Sequence, residues 1–231
     1  MWSHNPIIGF DTETTGVDPT EARLVTASVV VVDADQITKH YWLADPEVEI
    51  PLSAQNVHGI STEKARREGR PIREVLSELA ELLHFHMQQK HAIVAFNASY
   101  DLTLIESELS RHNLPTLEER LGHPISPVVD PFILDKTLDR WRRGKRTLEL
   151  VAQHYGVWDD DSFHNAEADV LVTLRVLGAI LRKFPDAASS SLEELMARQL
   201  ETYTETANYF AKRAAERGQS YTQPVGWPVA R

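Results

Sequence analysis

Four carboxylates and one histidine carry the chemistry this sequence offers: Asp11 and Glu13 in FDTETTG, Asp101 in FNASYDLTLI, and His164 with Asp169 in FHNAEADVLVT. Residues Ile7 to Phe10 form an apolar run that ends at Asp11. Such a run predicts a buried strand, and because alternate side chains of a strand share a face, Asp11 and Glu13 point the same way. Neighbouring carboxylates repel and resist joint ionisation unless a cation sits between them, so the pair invites a hard divalent ion with oxygen ligands. Alone, DTETTG fits a solvated strand end equally well, since Asp, Thr and Gly are ordinary turn residues. The downstream acids favour the metal.

Asp101 follows a second apolar run, HAIVAF, at the start of a stretch in which Leu102, Ile105 and Leu109 recur at helical spacing. By itself an Asp there would simply complement the helix dipole. His164 and Asp169 are five residues apart, and at about 100° per residue one continuous helix would turn them roughly 140° away from each other. A shared site requires His164 in a loop, Asn165 at or near the N-cap, and Asp169 in the first turns of a helix running to about Phe184.

In order, spacing and flanks these residues resemble the DnaQ-like family of 3′-to-5′ exonucleases, the DEDDh group named for its acids and histidine. The matching motifs are Asp11-Thr12-Glu13 followed by Thr14-Thr15-Gly16, then Asn97 with Asp101, then His164 with Asp169, within a resemblance spanning roughly residues 6 to 184. It implies that Asp11 bridges two Mg²⁺ or Mn²⁺ ions, that Glu13 and Asp169 complete the protein ligands of the first, and that Asp101 serves the second through water. In two-metal sites the ions lie about 3.5–4 Å apart and stabilise the attacking and leaving oxygens. His164 becomes the general base, a role suited to an imidazole with an ordinary pKa of roughly 6.5.

The resemblance extends to VHGIS, Val57 to Ser61, with Glu63 beyond it. It places Val57 and His58 at the pocket for the terminal nucleotide, with Thr12, Thr14, Asn97 and Tyr100 as further substrate contacts. Asp130, in PVVDPFILD, matches an acid that accompanies the site without binding metal. Relatives often carry His before the second-motif Asn and Phe before its Asp, where this chain has Phe96 and Tyr100. Both remain aromatic and suit a wall against a base or sugar, but nucleotide preference does not carry over.

Composition bounds the rest. At 231 residues, 42% hydrophobic and 25% charged, the chain reads as a globular unit with an extension. It has no apolar run of about 18 residues and no basic, apolar leader pattern at Met1 to Asn5, so the expected location is cytoplasmic with no membrane partner. The absence of cysteine excludes disulfides and thiolate zinc sites. Most non-specific nucleic-acid affinity comes from Lys and Arg at phosphates, so a formal charge of −10 argues against an extended binding groove. It accords with an enzyme that grips a few terminal nucleotides of a single strand, where bound cations invert the local charge. The dense basic cluster RWRRGKR, Arg140 to Arg146, offers phosphate contacts with Trp141 as a stacking platform, or else is a solvated loop.

The elements that must position these residues follow from periodicity. Leu24 to Val32 and Ile37 to Leu43 read as a hairpin around Asp33 to Gln36. Then come a helix from Ile72 to His86 with Pro71 at its first position, strand HAIVAF, helix Ser99 to Arg111, strand Pro127 to Val129, and a short helix Thr147 to Tyr155 closed by Gly156. The α/β content is read from the sequence. The resemblance implies the topology, a ribonuclease-H-like mixed β-sheet flanked by helices. Pro185 ends this exonuclease unit, residues 1–185, and Asp186 to Ser190 is a polar linker to an extension, residues 186–231. There Ser191 and Glu194 form a capping box for a long helix stopped by Gly218. Its apolar face (Leu192, Leu195, Met196, Tyr203, Ala207, Phe210, Ala214) is expected to pack on its own core, with self-association or a polymerase partner through 191–217 as alternatives. The tail YTQPVGWPVAR reads as extended.

The sequence thus predicts a metal-dependent 3′-to-5′ exonuclease of DNA or RNA that releases nucleoside 5′-monophosphates. A non-catalytic nucleic-acid-binding or replication scaffold is the alternative, disfavoured because all five ligand and base positions are filled. An aspartyl-nucleophile phosphatase would require D-x-D where this chain has D-x-E.

Overall fold

In the computed structural model, which describes residues 2–158, 166–220 and 226–230, the early β-branched runs pair as their alternation demands. Strands β1 (Ile7–Thr14), β2 (Leu24–Asp33) and β3 (Gln36–Asp45) are antiparallel neighbours. Asp33 faces Gln36 across the hairpin turn, where Ala34 takes a positive φ of 49°. After the short helices α1 (Leu52–His58) and α2 (Thr62–Glu68), β4 (Arg70–Pro71) pairs parallel to β3. The chain continues through α3 (Ile72–Gln88), β5 (Ala92–Val94), α4 (Ala98–Arg111), α5 (Leu117–Leu121), β6 (Val128–Val129), α6 (Pro131–Leu138) and α7 (Leu148–His154). It closes with α8 (Ala166–Lys183), α9 (Pro185–Ser189) and α10 (Leu192–Glu216). The sheet order is β4-β3-β2-β1-β5-β6, with β5 and β6 parallel to the β1 side.

The strands split their side chains with period two. Ile8, Phe10, Val29, Ile93 and Val128 face α3 and α4, meeting Leu76, Leu79, Leu83, Leu102, Ile105 and Leu109. Ala92, Val94 and Val129 face α7 and α8, meeting Val151, Val172, Val176 and Ile180. Full burial of such a side chain stabilises by about 1.5–3 kcal/mol, which is how strands of two or three residues hold their place.

Several elements depart from expectation. Pro71 sits in the edge pairing with β3 and α3 begins after it; lacking an N–H, proline is tolerated at such an edge. Helices α1, α2, α5 and α6 have no counterpart in the sequence reading, because they are too short to display a period. The expected linker is largely helical: Pro185 opens α9 and Ala187 is buried.

The capping box at Ser191 and Glu194 is present, and Gly218 follows the helix at φ 67°. The first half of α10 packs on the core, where Leu195 and Gln199 are fully buried. Gln199 accepts the Asp130 N–H at 2.7 Å and donates to the Val128 carbonyl at 3.2 Å. Its side chain thereby closes the open edge of β6 as another strand would. Beyond Tyr203 the helix leaves the core, and Tyr209 and Phe210 are exposed. Within the tail, Trp227 is buried on the α4 side of the core and the Ala230 N–H donates to Thr103 Oγ1 at 2.8 Å.

Candidate active site

The first acid pair stands inside β1, which continues to Thr14, with Asp11 opposite Ser28 and Glu13 opposite Thr26. Between Glu13 and Thr14 the register slips by one residue of β2, a bulge of the kind that re-aims side chains beside active sites. Glu108 anchors that corner: fully buried on α4, it accepts the Leu24 N–H at 3.1 Å and pairs with Arg23 and Arg111.

Gly9 brings the last acid to the pair. It lies two residues before Asp11, so it shares the face of Asp11 and Glu13. A Cβ at Gly9 would fall 2.5 Å from Val170 Cγ1 and 2.9 Å from Leu174 Cδ1. Only a bare backbone lets α8 lie this close to β1. Asp169, adjacent to Val170, then meets the pair, and ligand oxygens of Asp11, Glu13 and Asp169 all lie within 4.8 Å of one another. Lys39 on β3 holds Glu167 in the first turn of α8 at 2.7 Å. Three convergent carboxylates suit a hard divalent cation with oxygen ligands.

Asp101 arrives from the other side of β1. In the first turn of α4 and buried, it accepts the Thr12 N–H at 3.1 Å and the Thr12 hydroxyl at 2.6 Å. The start of α4 is set by Asp130, whose carboxylate accepts the N–H groups of Asn97 (3.0 Å), Ala98 (3.0 Å) and Phe132 (2.9 Å). One buried carboxylate thus caps α4 and α6 together, where both helix dipoles favour negative charge. Asp130 frames the site without joining the cluster of Asp11, Glu13 and Asp169.

Crowding is visible in the protonation equilibria. Burial, followed by the charges of Asp101, Glu13 and Asp169, raises the Asp11 pKa well above the ordinary carboxylate range. Burial, then Asp169 and Asp101, pushes Glu13 up to about 7. Asp101 rises to about 7 through burial, against the Thr12 bonds that pull it down. Burial likewise lifts Asp130 to about 6 despite its backbone donors. A cation among the carboxylates would reverse these preferences.

Two of the expected substrate residues, Tyr100 and His58, meet Thr14 beside Glu13. The Tyr100 hydroxyl lies 2.6 Å from Thr14 Oγ1 and donates to the Gly16 carbonyl, so Thr14 and Tyr100 brace each other. Thr12 is buried, its hydroxyl engaged by Asp101. Asn97 is exposed at the head of α4 with φ 66°, and Phe96 packs against Phe132 with ring centroids 5.6 Å apart. His58 ends α1 before Gly59 at φ 73°; its Nδ1 accepts the Ile60 N–H at 3.1 Å. Burial lowers the His58 pKa, opposed by the Thr14 backbone beside the ring. Val57 is 62% exposed. His164 and Asn165 lie outside the described residues.

The basic cluster Arg140 to Arg146 requires correction. Arg142 Nε bonds both oxygens of the fully buried Asp135, at 3.2 and 3.1 Å, and Arg146 Nε bonds it at 2.6 Å, with the Tyr155 hydroxyl at 3.0 Å. A buried carboxylate demands such partners, and these two arginines are structural. Trp141 is 88% exposed. Sequence reasoning also missed Gly9, Glu108 and Gln199. Of these only Glu108 left a trace, as an acid beside Ile105 and Leu109 in an otherwise apolar helical stripe.

A family model for exonucleases, RNase_T, matches residues 8–177, from β1 through most of α8. The chain belongs to this exonuclease family. The match includes Asp11, Glu13, Asp101 and Asp169, and the DnaQ-like resemblance stands. Among curated relatives, the exonuclease is 23% identical over 228 residues to DNA polymerase III subunit epsilon of Rickettsia conorii, covering 92% of each chain. It is 26% identical over 202 residues to the PolC-type DNA polymerase III of Thermotoga petrophila, covering 87% of this chain and 13% of that one. Among solved structures, E. coli exonuclease I in complex with a dA16 oligonucleotide superposes with a TM-score of 0.65 at 17% identity, over 79% of this chain and 42% of that one. Exonuclease I from Methylocaldum szegediense gives 0.64 at 17%, over 89% and 46%. The exonuclease spans less than half of those exonuclease I chains, and the likeness establishes the ribonuclease-H-like fold. Among the described residues no helix is long and apolar enough to cross a membrane.

Proposed function

We propose that this exonuclease removes nucleotides one at a time from the 3′ end of single-stranded DNA, using two Mg²⁺ or Mn²⁺ ions and releasing nucleoside 5′-monophosphates. The observation that carries the reading is the convergence of Asp11, Glu13 and Asp169 within 4.8 Å, with Asp101 held by Thr12 alongside. Bound divalent ions supply Lewis-acid stabilisation of the attacking and leaving oxygens and lower the pKa of water. Asp11, Glu13 and Asp169 would hold the first, and Asp11 and Asp101 the second. His164 takes the proton of the attacking water on a ring nitrogen. Val57, His58, Asn97 and Tyr100 flank the terminal nucleotide, with Thr12 and Thr14 beneath it.

DNA is favoured over RNA by the likeness to DNA polymerase III epsilon and to an exonuclease I crystallised with dA16. The likeness to the epsilon subunit favours a place in DNA replication beside a polymerase, and the end of the family match at residue 177 favours residues 1–185 as the exonuclease unit with 186–231 as an extension. The test is digestion of 5′-labelled single-stranded DNA and RNA of one sequence, in Mg²⁺ and in EDTA. The expected result is a ladder receding from the 3′ end of DNA in Mg²⁺ alone. Internal fragments, or cleavage that survives EDTA, would overturn the reading.

A further inference from the structure

A groove runs between α6 and α10 and begins beside Asn97 and Tyr100 at the head of α4. Its near end is bounded by Asn97, Tyr100 and Phe132, the far end by Arg140 and Lys212, and Lys136 and Phe210 line both stretches. In a chain of formal charge −10, a tract carrying Lys136, Arg140 and Lys212 is an exception. Acids face it too: Asp18 at the near end, and Glu205 at the far end, paired with Arg140 at 3.3 Å.

The aromatic residues are placed for stacking. Phe210 is 51% and Tyr209 58% exposed, with ring centroids 5.5 Å apart at an interplanar angle of 72°. Lys136 Nζ stands 3.8 Å over the Phe132 ring. Burial lowers the Lys136 pKa, opposed chiefly by Asp130. A cation fixed on an aromatic face already lacks part of its water shell, which favours an anion that approaches it. The part of α10 that lines the groove begins beyond residue 177, where the family match ends, so this wall is a feature of this chain's extension.

The geometry points to the groove between α6 and α10 as the seat of the nucleotides upstream of the 3′-terminal one, a short tract of single strand stacked on Phe210 with its phosphates toward Lys136 and Lys212. The groove is continuous with Asn97 and Tyr100, so a strand whose end occupies the carboxylate cluster has a path into it. Alternating aromatic and cationic side chains grip single strands without regard to sequence. A second protein chain on Tyr209 and Phe210 would use the apolar surface but not the cations.

This inference rests on the exonuclease reading, and two substrates separate them. The p-nitrophenyl ester of thymidine 5′-monophosphate has no upstream strand, whereas oligodeoxythymidylate has one. In the full-length chain, Phe210→Ala should lower the ratio of oligonucleotide to ester efficiency by about fivefold or more, the loss of one stacked base. Lys212→Gln should flatten the dependence of log K on log salt for oligonucleotide binding in EDTA by about 0.7. An unchanged ratio together with an unchanged salt slope overturns the groove. So does a change of oligomeric state in light scattering with both substrate readouts intact. If the unaltered chain hydrolyses neither substrate, the exonuclease reading fails, and the salt slope of binding still decides the groove.

Discussion

Replacing Glu13 with Gln should make the metal-free protein more stable. Glu13 is pushed from 4.5 up to about 7 by burial and by Asp169 and Asp101. An acid whose folded pKa exceeds its unfolded value contributes fully below about pH 4.5, and the contribution is lost as pH rises through about 7. At about 1.4 kcal/mol per pH unit, the gap between 4.5 and about 7 corresponds to about 3 kcal/mol at pH 8. Screening on the open side of the site reduces the expected gain to about 1–2 kcal/mol. Gln keeps the shape and removes the charge. For a chain of this size about 2–4 °C accompanies each kcal/mol, so Glu13→Gln should melt roughly 2–8 °C above wild type at pH 8 in EDTA. At pH 5 the folded wild-type carboxyl is already protonated and only the unfolded chain still ionises, so the difference should shrink to about a quarter of its pH 8 value. Mg²⁺ at pH 8 should stabilise wild type and leave the variant nearly unmoved. Thermal melting followed by circular dichroism in these three conditions is the assay. A variant that melts at or below wild type at pH 8 without metal would refute the argument from carboxylate repulsion.

Three further substitutions probe separate parts of the site. His164→Ala should lower turnover by about 10²–10⁴, the worth of a general base, while the Mg²⁺-induced rise in melting temperature persists; turnover within about threefold of wild type would make the histidine structural. Gly9→Ala places a methyl 2.5 Å from Val170 Cγ1 and should cost about 1–3 kcal/mol by overpacking. It should also displace Asp169 and erase the Mg²⁺ shift, whereas wild-type melting and turnover would contradict the close approach of α8. Arg142→Gln should lower stability by about 1.5–3 kcal/mol by stripping a charged hydrogen-bond partner from Asp135 and leave the salt dependence of DNA binding unchanged; the reverse pattern would return Arg142 to the substrate.

Periodicity put Asp11 and Glu13 on one strand face and Asp169 at a helix start, and the DnaQ-like resemblance joined them into one site. Asp11 and Glu13 are two residues apart on a strand, and Asp169 lies in the first turn of a helix whose apolar stripe runs through Val172 and Val176. The close approach that unites them was not legible. Gly9 reads as any glycine until Val170 is laid on its α-carbon. The same holds for Arg142 and Arg146, which read as phosphate contacts or a solvated loop because their partner Asp135 appears in sequence as one more polar residue. Gln199 reads in the sequence as one more polar residue of its helix, yet it replaces a missing strand at the edge of β6. Helices α1, α2, α5 and α6 are eight residues or fewer, too brief for a period to emerge from composition. Side chains that answer only to partners distant in the chain leave no local signal.

The central claim is that the carboxylates around Asp11 are the machinery of phosphodiester hydrolysis. Single-turnover digestion of 5′-labelled single-stranded DNA by Asp11→Ala, at saturating Mg²⁺ and with its melting temperature verified, tests it most directly. The account predicts a folded protein that releases no 5′-mononucleotide in the time wild type consumes the strand. Turnover at the wild-type rate would contradict it.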